Sequence, residues 1–451
     1  MKTRKLLSLA TVSLVIASIL AGCSSPAGSA GSAGGAGGSS TPASSGSSGG
    51  SSAAGGSSIN IWCWDKSDSR TQMHSKFTEA TGISVELTAV ESKDMTQKLQ
   101  TTLAAGGDMP DIAWLESTYR GKLLSLDIWE DITAAPYSFD KSNVLDYLIP
   151  LETAGDGSYV GPECPSVAGM AFKRELAKEY LGTDDPAELE KLLPDWDAFI
   201  KAGQEVSSKS GGKVFMMSSL GAAGIMLKGQ ITESFIDGNK LNLDASMKPI
   251  LERLVELKTK GICDVLDYDS PEEGASYAGN EHIFYPCANW SVEFTIKSND
   301  KDGLDRWGFM LPPGGPFPMG GTVMGVPKKA VNKEGAVTYI KYFFGSEDGA
   351  KLQRDYKGNF SPYKPLYDQP DFYSAEDPYF HGQNVLQEIS QRVLPNIKSV
   401  RLPSEYDQDI NDVYNLAVKS INASNGTDIS VDDLIAQMKD DLINKNPDIT
   451  E

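Results

Sequence analysis

The sequence predicts an α/β fold in two lobes, and three observations carry that prediction. Between Ile59 and Leu115 the chain reads strand, helix, strand, helix, strand, an order that builds a mostly parallel sheet. Its 451 residues exceed what one small core organises and suit two lobes. Further on, three short apolar runs at 283–285, 307–311 and 322–326 surround one tryptophan, Trp290, and a Pro/Gly cluster at 312–316. Proline lacks the ladder donor and glycine weakens strands. That cluster therefore predicts a loop, followed by a crossing between lobes at Gly320-Gly321.

The N-terminus stands apart from the globular part. Residues 1–5 carry Lys2, Arg4 and Lys5, and residues 6–21 are almost wholly apolar. These are the two regions of an export signal, shorter than the roughly 20 residues of a membrane-spanning helix. The run ends Leu20-Ala21-Gly22-Cys23, which resembles a bacterial lipobox. The resemblance implies removal of 1–22 and lipidation of Cys23, with more than one acyl chain for stable anchoring. Residues 24–58 contain only Ser, Gly, Ala, Thr and Pro. They cannot bury a core, so 23–58 reads as a lipidated cysteine on a flexible linker.

The globular elements follow in order. Residues 59–64 alternate as a first strand, which sends Trp62 and Trp64 to one face and Cys63 to the other. Met73, Phe77 and Ala80 mark a helix over 65–82, stopped by Gly82. Residues 83–90 alternate as a second strand. Met95, Leu99 and Leu103 mark a helix over 94–105, and 112–115 is a third strand. Residues 159–172 read as a crossing that leads into another strand. Helices are expected at 173–181, 196–206 (started by Pro194-Asp195), 244–260, 336–344, 349–356, 409–421 and 431–443. In such sheets ligands lie beyond the carboxyl ends of the strands. Trp62, Trp64, Asp65, Trp114, Glu116 and Tyr119 all lie at or just past such ends.

Composition excludes several classes. A net charge of −20 repels phosphate backbones, so no nucleic-acid partner is expected. Cys23, Cys63, Cys164, Cys263 and Cys287 form no CxxC pair. The last four are either disulfide-bonded or buried thiols, and the sequence does not choose between these. His74, His282 and His381 are scattered, and no HExxH, Walker A or EF-hand loop occurs. No metal, cofactor or catalytic residue is therefore assigned.

The assembled pattern resembles the family 1 extracellular solute-binding proteins, the group containing maltose-binding protein. The resemblance covers about 59–443 and rests on landmarks in sequence order. They are the opening NIWCWD strand; Phe77, Thr81-Gly82-Ile83 and Val85; the Gly106-Gly107 turn with Pro110-Asp111-Ile112; and GPECPSVAGMAFKREL. LLPDWDAFIKAG, FYPCANWS and the long 311–344 stretch follow. Departures are Phe172-Lys173-Arg174 for a usual tyr-asn-lys, Asp195 for Thr, and Asn289 before the tryptophan. The family implies a periplasmic-binding-protein-like (type II) fold, each lobe a mixed sheet flanked by helices with the ligand cleft between. Mapping it gives lobe one as 59–167 and 319–361, and lobe two as 168–318 and 362–451.

The same resemblance implies capture of a carbohydrate, an oligosaccharide, by hinge closure, and delivery to the transmembrane subunits of an ABC permease. The chain would act as a monomer, lipid-anchored on the outer face of a Gram-positive cell membrane. Sugar recognition needs flat apolar faces for C–H surfaces and polar groups for hydroxyls. The candidates are Trp62, Trp64, Asp65, Trp114, Glu116, Tyr119, Glu163, Trp290, Phe317, Met319, Gly320, Gly321 and Tyr363. Trp290 matches the family's cleft tryptophan. Two other readings stay open: a binding protein for a peptide or polyamine, and an exported glycan-active enzyme, which needs two carboxylates flanking the scissile bond. The sugar's identity, length and linkage are not readable from the chain.

Overall fold

The computed structural model describes residues 57–397, 400–425 and 428–451. The export signal, Cys23 and the linker up to residue 56 lie outside the described residues. Two large sheets organise the fold. In the first, β1 (Ser58–Cys63) runs between β2 (Ser84–Ala89) and β3 (Ile112–Glu116), parallel to both. In the second, β4 (Val167–Lys173) is central and β5 (Phe215–Met217) lies at one edge. A small hairpin, β6 (Ile236–Asp237) and β7 (Lys240–Leu241), stands apart. β8 (His282–Ala288) joins β4 antiparallel and β5 parallel, and β9 (Trp307–Met310) and β10 (Phe317–Pro318) both pair antiparallel with β4. β11 (Thr322–Gly325) then returns to the first sheet, antiparallel to β3.

β9 and β10 are one strand interrupted. Met310 pairs with Met170 and Phe317 with Ala168, so 311–316 loops out opposite a single residue, Gly169. The Pro/Gly cluster fills that excursion, where no ladder bonds are needed. Only Met319, Gly320 and Gly321 separate β10 from β11, so the chain passes from one sheet to the other in three residues. An earlier crossing is as short. Glu163 bridges Val323 on the first sheet, and Val167 already belongs to β4. The two-lobed α/β architecture thus follows from strands that change sheet at two adjacent points.

Every residue of β4 and of β8 is buried, which explains why these strands read as unbroken apolar runs rather than alternations. The helix Trp196–Ser210 starts as expected, and the one expected over 65–82 starts three residues later, as Asp68–Thr81. Ser67 and Asp195 supply the capping oxygens, Asp195 accepting from the Ala198 amide at 2.8 Å.

Three expectations need correction. The helix over 244–260 is two, Leu243–Ser246 and Lys248–Thr259, because Pro249 cannot donate to the preceding turn and clashes with it. The shared face of Trp62 and Trp64 fails. β1 ends at Cys63, so alternation no longer aims Trp64; it packs on the cluster of Ile61 and Cys63, while Trp62 packs with Val90 and Met95. A helix at Leu220–Gln230 was not anticipated. Its Gly/Ala-rich sequence has poor helix propensity and no amphipathic stripe. The small residues instead allow close packing: a Cβ on Gly224 would stand 2.0 Å from the Tyr414 hydroxyl.

Cys63, Cys164, Cys263 and Cys287 are free thiols. Burial pushes Cys63 up to about 11 and Cys164 to about 12, so neither is a ready nucleophile. Among the described residues no helix is long and apolar enough to cross a membrane, and no His/Cys/Asp/Glu group is placed to hold a metal ion.

Candidate functional site

A cavity of about 240 Å³ opens between the two sheets. The first lobe supplies Ser117 and Thr118, just past the carboxyl end of β3, together with Arg120 and Glu163. Ser166 and Pro318-Met319-Gly320, from the two crossings, also line it. The second lobe contributes Ile225 and Lys228 from the helix Leu220–Gln230, with Phe235 and Met247. Arg401, Asp407 and Asn411 close it from the C-terminal part. Both lobes and both crossings therefore meet at one small chamber.

The polar wall is built from three charged groups of the second lobe and one buried pair of the first. Arg120 and Glu163 form an ion pair with both side chains only 4% exposed. Burial raises the Glu163 carboxyl even against the Arg120 charge. Among the described residues Arg120 Nε and the Tyr147 hydroxyl, on two side chains of this cavity's lining, have no hydrogen-bond partner. Behind the pair, Glu152 is fully buried, accepting from the Tyr159 hydroxyl at 2.6 Å and the Glu163 amide at 2.7 Å. Across the chamber, Lys228 donates to Asn411 Oδ1 at 2.7 Å and lies 4.1 Å from the Tyr414 ring centre. Arg401 donates to Asp407 at 2.7 Å and covers the Phe235 ring at 4.1 Å.

Of the thirteen ligand candidates, the structure brings Glu163, Met319 and Gly320 to the cavity. Glu116 sits next to it; its carboxylate accepts from the Ser117 hydroxyl at 2.6 Å and the Thr118 amide at 2.9 Å, shaping the loop that lines the wall. Tyr119 precedes Arg120 and is half-buried against the core around Trp129. Trp290 is one contact removed. Its indole N–H donates to Ser166 Oγ at 2.8 Å, with Met319 O at 3.3 Å, so it ties the two crossings together. Gly320 and Gly321 have φ of 86° and 118°, the region that favours glycine. A Cβ on Gly321 would stand 2.9 Å from both Arg120 Nη2 and Glu163 Oε2. The close approach that Gly321 permits is to this ion pair.

The other candidates lie elsewhere. Phe317 is fully buried and presents no face to a ligand. Tyr363 bridges Val144 and lines a separate hollow with Phe139 and Phe344. Trp62 is buried under Lys98, 4.7 Å from its ring centre. Trp64, Asp65 and Trp114 form a cluster of their own around Arg70. Trp64 meets Trp114 edge-on at 5.0 Å, Arg70 lies 4.8 Å over Trp114, and Asp65 pairs with Arg70 and Lys357.

Arg120 lies one residue past Tyr119, the last of the strand-end candidates, and five past Leu115. Lys228 had a weak signal, a lone cation in a run of small and apolar residues, but Lys near a helix C-terminus is commonplace. Arg401, Asp407 and Asn411 had none, because only the folded chain returns them to the cleft.

Residues 72–379 match the family described as bacterial extracellular solute-binding protein. A lactose-binding protein of Rhizobium radiobacter is 26% identical over 211 residues, 45% of this chain. The match spans 49% of that protein, about half its length. A solved extracellular solute-binding protein of family 1 superposes with a TM-score of 0.75 at 20% identity, covering 86% of this chain and 99% of that one. An ABC-transporter-associated binding protein from B. animalis subsp. lactis Bl-04, solved with beta-1,6-galactobiose, superposes with a TM-score of 0.69 at 16% identity, covering 87% and 98%. At these identities the superpositions establish the two-lobed fold.

Proposed function

The chain belongs to the bacterial extracellular solute-binding proteins, and on that premise we propose that it captures a carbohydrate by hinge closure and delivers it to an ABC permease. The observation that carries this reading is the chamber shared by both lobes and lined by two short crossings. A ligand touching both walls favours the closed arrangement, and a hinge needs only a few residues to absorb the rotation. Residues 59–167 with 319–361, and 168–318 with 362–451, are the bodies that move. Ser117, Thr118, Arg120, Glu163, Ser166, Met319, Gly320 and Lys228 contact the ligand.

Sugar as the solute is supported by the lactose-binding relative and by the galactobiose complex. Three cations in the wall disfavour a polyamine, since like charges in a half-buried chamber repel. The two carboxylates at the chamber, Glu163 and Asp407, are each engaged by an arginine, an arrangement suited to holding hydroxyls rather than to shuttling protons. Export, lipidation of Cys23 and the 23–58 tether keep the protein on the outer face of a Gram-positive membrane, within reach of the permease.

Thermal unfolding and calorimetry against a panel of sugars, with product analysis, test the proposal. The cognate sugar at 100 times its Kd adds about 2.7 kcal/mol of stability and is recovered unchanged. Turnover of a glycan, or a response to peptides alone, overturns it.

A further inference from the structure

The wall of the chamber departs from the chain's overall charge. The protein carries −20, yet at the cavity three cations, Arg120, Lys228 and Arg401, face two carboxylates, Glu163 and Asp407. Both carboxylates are already engaged, Glu163 by Arg120 and Asp407 by Arg401. Lys228 is left over. Among the described residues its partners are the Asn411 amide oxygen and the Tyr414 ring, and no carboxylate forms an ion pair with it. Arg401 turns only one nitrogen, Nη1, to its acceptors, Asp407 Oδ1 and the Leu402 carbonyl. A recessed ammonium without an anion is an unusual expense for a fold, because buried charges are ordinarily paired.

Aromatic stacking is also poorly provided for. Among the described residues only two aromatic side chains line the chamber, Tyr147 and Phe235, and one face of Phe235 is occupied by the Arg401 guanidinium. The tryptophans that promised flat platforms are committed elsewhere. What the wall offers a ligand is charge and directional donors: Lys228 and the free edge of Arg401.

Resting on the carbohydrate reading above, we infer that the cleft selects an anionic sugar, whose acidic group docks between Lys228 and Arg401. A uronate carboxylate and a phosphate ester share the chemistry, an oxyanion accepting charge-assisted hydrogen bonds. The ring hydroxyls then face Ser117, Thr118 and Ser166.

Protonation follows from the surroundings. Burial, and then the Arg401 charge, bring the Lys228 ammonium down to about 7, with Asp407 opposing. The remaining charged groups at the chamber are Arg120 and Glu163; Tyr414 faces Lys228 from the helix Asp407–Ala423. An anion delivered to Lys228 restores its charged form, so binding takes up a proton above about pH 7 and weakens as pH rises further.

Calorimetry on the purified chain with digalacturonate, glucose 6-phosphate and lactose tests the inference. An anionic sugar binds roughly tenfold or more tightly than lactose, the scale of a charge-assisted contact, and its affinity falls with rising salt. Lys228→Gln removes that preference while leaving thermal unfolding near the parent. If that variant does not fold, Arg401→Gln carries the same expectation. The tighter of the two acidic sugars identifies carboxylate or phosphate as the group read. Lactose binding at least as well as both acidic sugars overturns the inference and leaves the carbohydrate reading standing. No response to these three or to any sugar of the wider panel sinks both.

Discussion

Two charged networks lie near the first sheet, and they are built to opposite ends. Around Asp65 every charged group is matched. Its carboxylate takes Arg70 Nε at 3.1 Å, Lys357 Nζ at 2.9 Å and the Ser67 amide at 3.0 Å. Lys357 also donates to the Ser67 and Ser69 hydroxyls at 3.0 and 3.1 Å. Burial alone would raise Asp65, but Arg70, Ser67 and Lys357 together hold it well below the usual carboxylate range. At the cavity, among the described residues, Arg120 Nε and the Tyr147 hydroxyl lack partners, and Lys228 lacks an anion. A closed network fixes structure. An open one, facing a chamber, leaves its strongest interactions for a ligand.

The widest gap between the two comes from Asp65→Asn. It strands Lys357, whose side chain is 1% exposed, and Arg70 at 7%. Loss of a buried partner costs about 3–5 kcal/mol, read as a lower urea midpoint, while affinity for the ligand stays within a few-fold. A variant as stable as the parent breaks the comparison.

Trp290→Ala comes next. The side chain is half-buried and clamps the crossings, so its removal costs about 2–3 kcal/mol, below the range for a fully buried tryptophan. Binding weakens less than stability does. A large loss of affinity at unchanged stability would instead restore the stacking role that the sequence suggested.

The effect that is smallest per pH unit separates the networks by pH. Burial, and then the Glu163 charge, push Glu152 up to about 8. The folded chain therefore holds a proton that the unfolded chain, with a carboxyl near 4.3, releases. Stability is full below that value and declines as pH rises toward about 8, by at most about 1.4 kcal/mol per pH unit. Glu152→Gln flattens this slope. Urea midpoints measured across the window give the answer, and an equal slope in parent and variant refutes the assignment.

Much of the fold was legible because local rules decide it. The strands at β1 to β3, the cap at Asp195, and the Pro/Gly excursion between β9 and β10 all follow from periodicity, a side-chain oxygen and missing donors. The helix Leu220–Gln230 was not legible, because its small residues carry no stripe and gain their meaning from Tyr414. The site was legible only in part. Glu163, Met319 and Gly320 lie at crossings that punctuation in the chain reveals. Trp64 and Trp114 obeyed the rule that ligands gather past strand ends, but Arg70 and Asp65 drew them into a structural cluster.

The sequence by itself determined the two-lobed α/β plan, since alternation, turn residues and landmark order act within a few residues of one another. Which charges remain unpaired was decided by the tertiary structure alone. Arg120, Lys228 and Arg401 lie far apart along the chain, and pairing depends on ångström-scale distances between groups that only folding brings together.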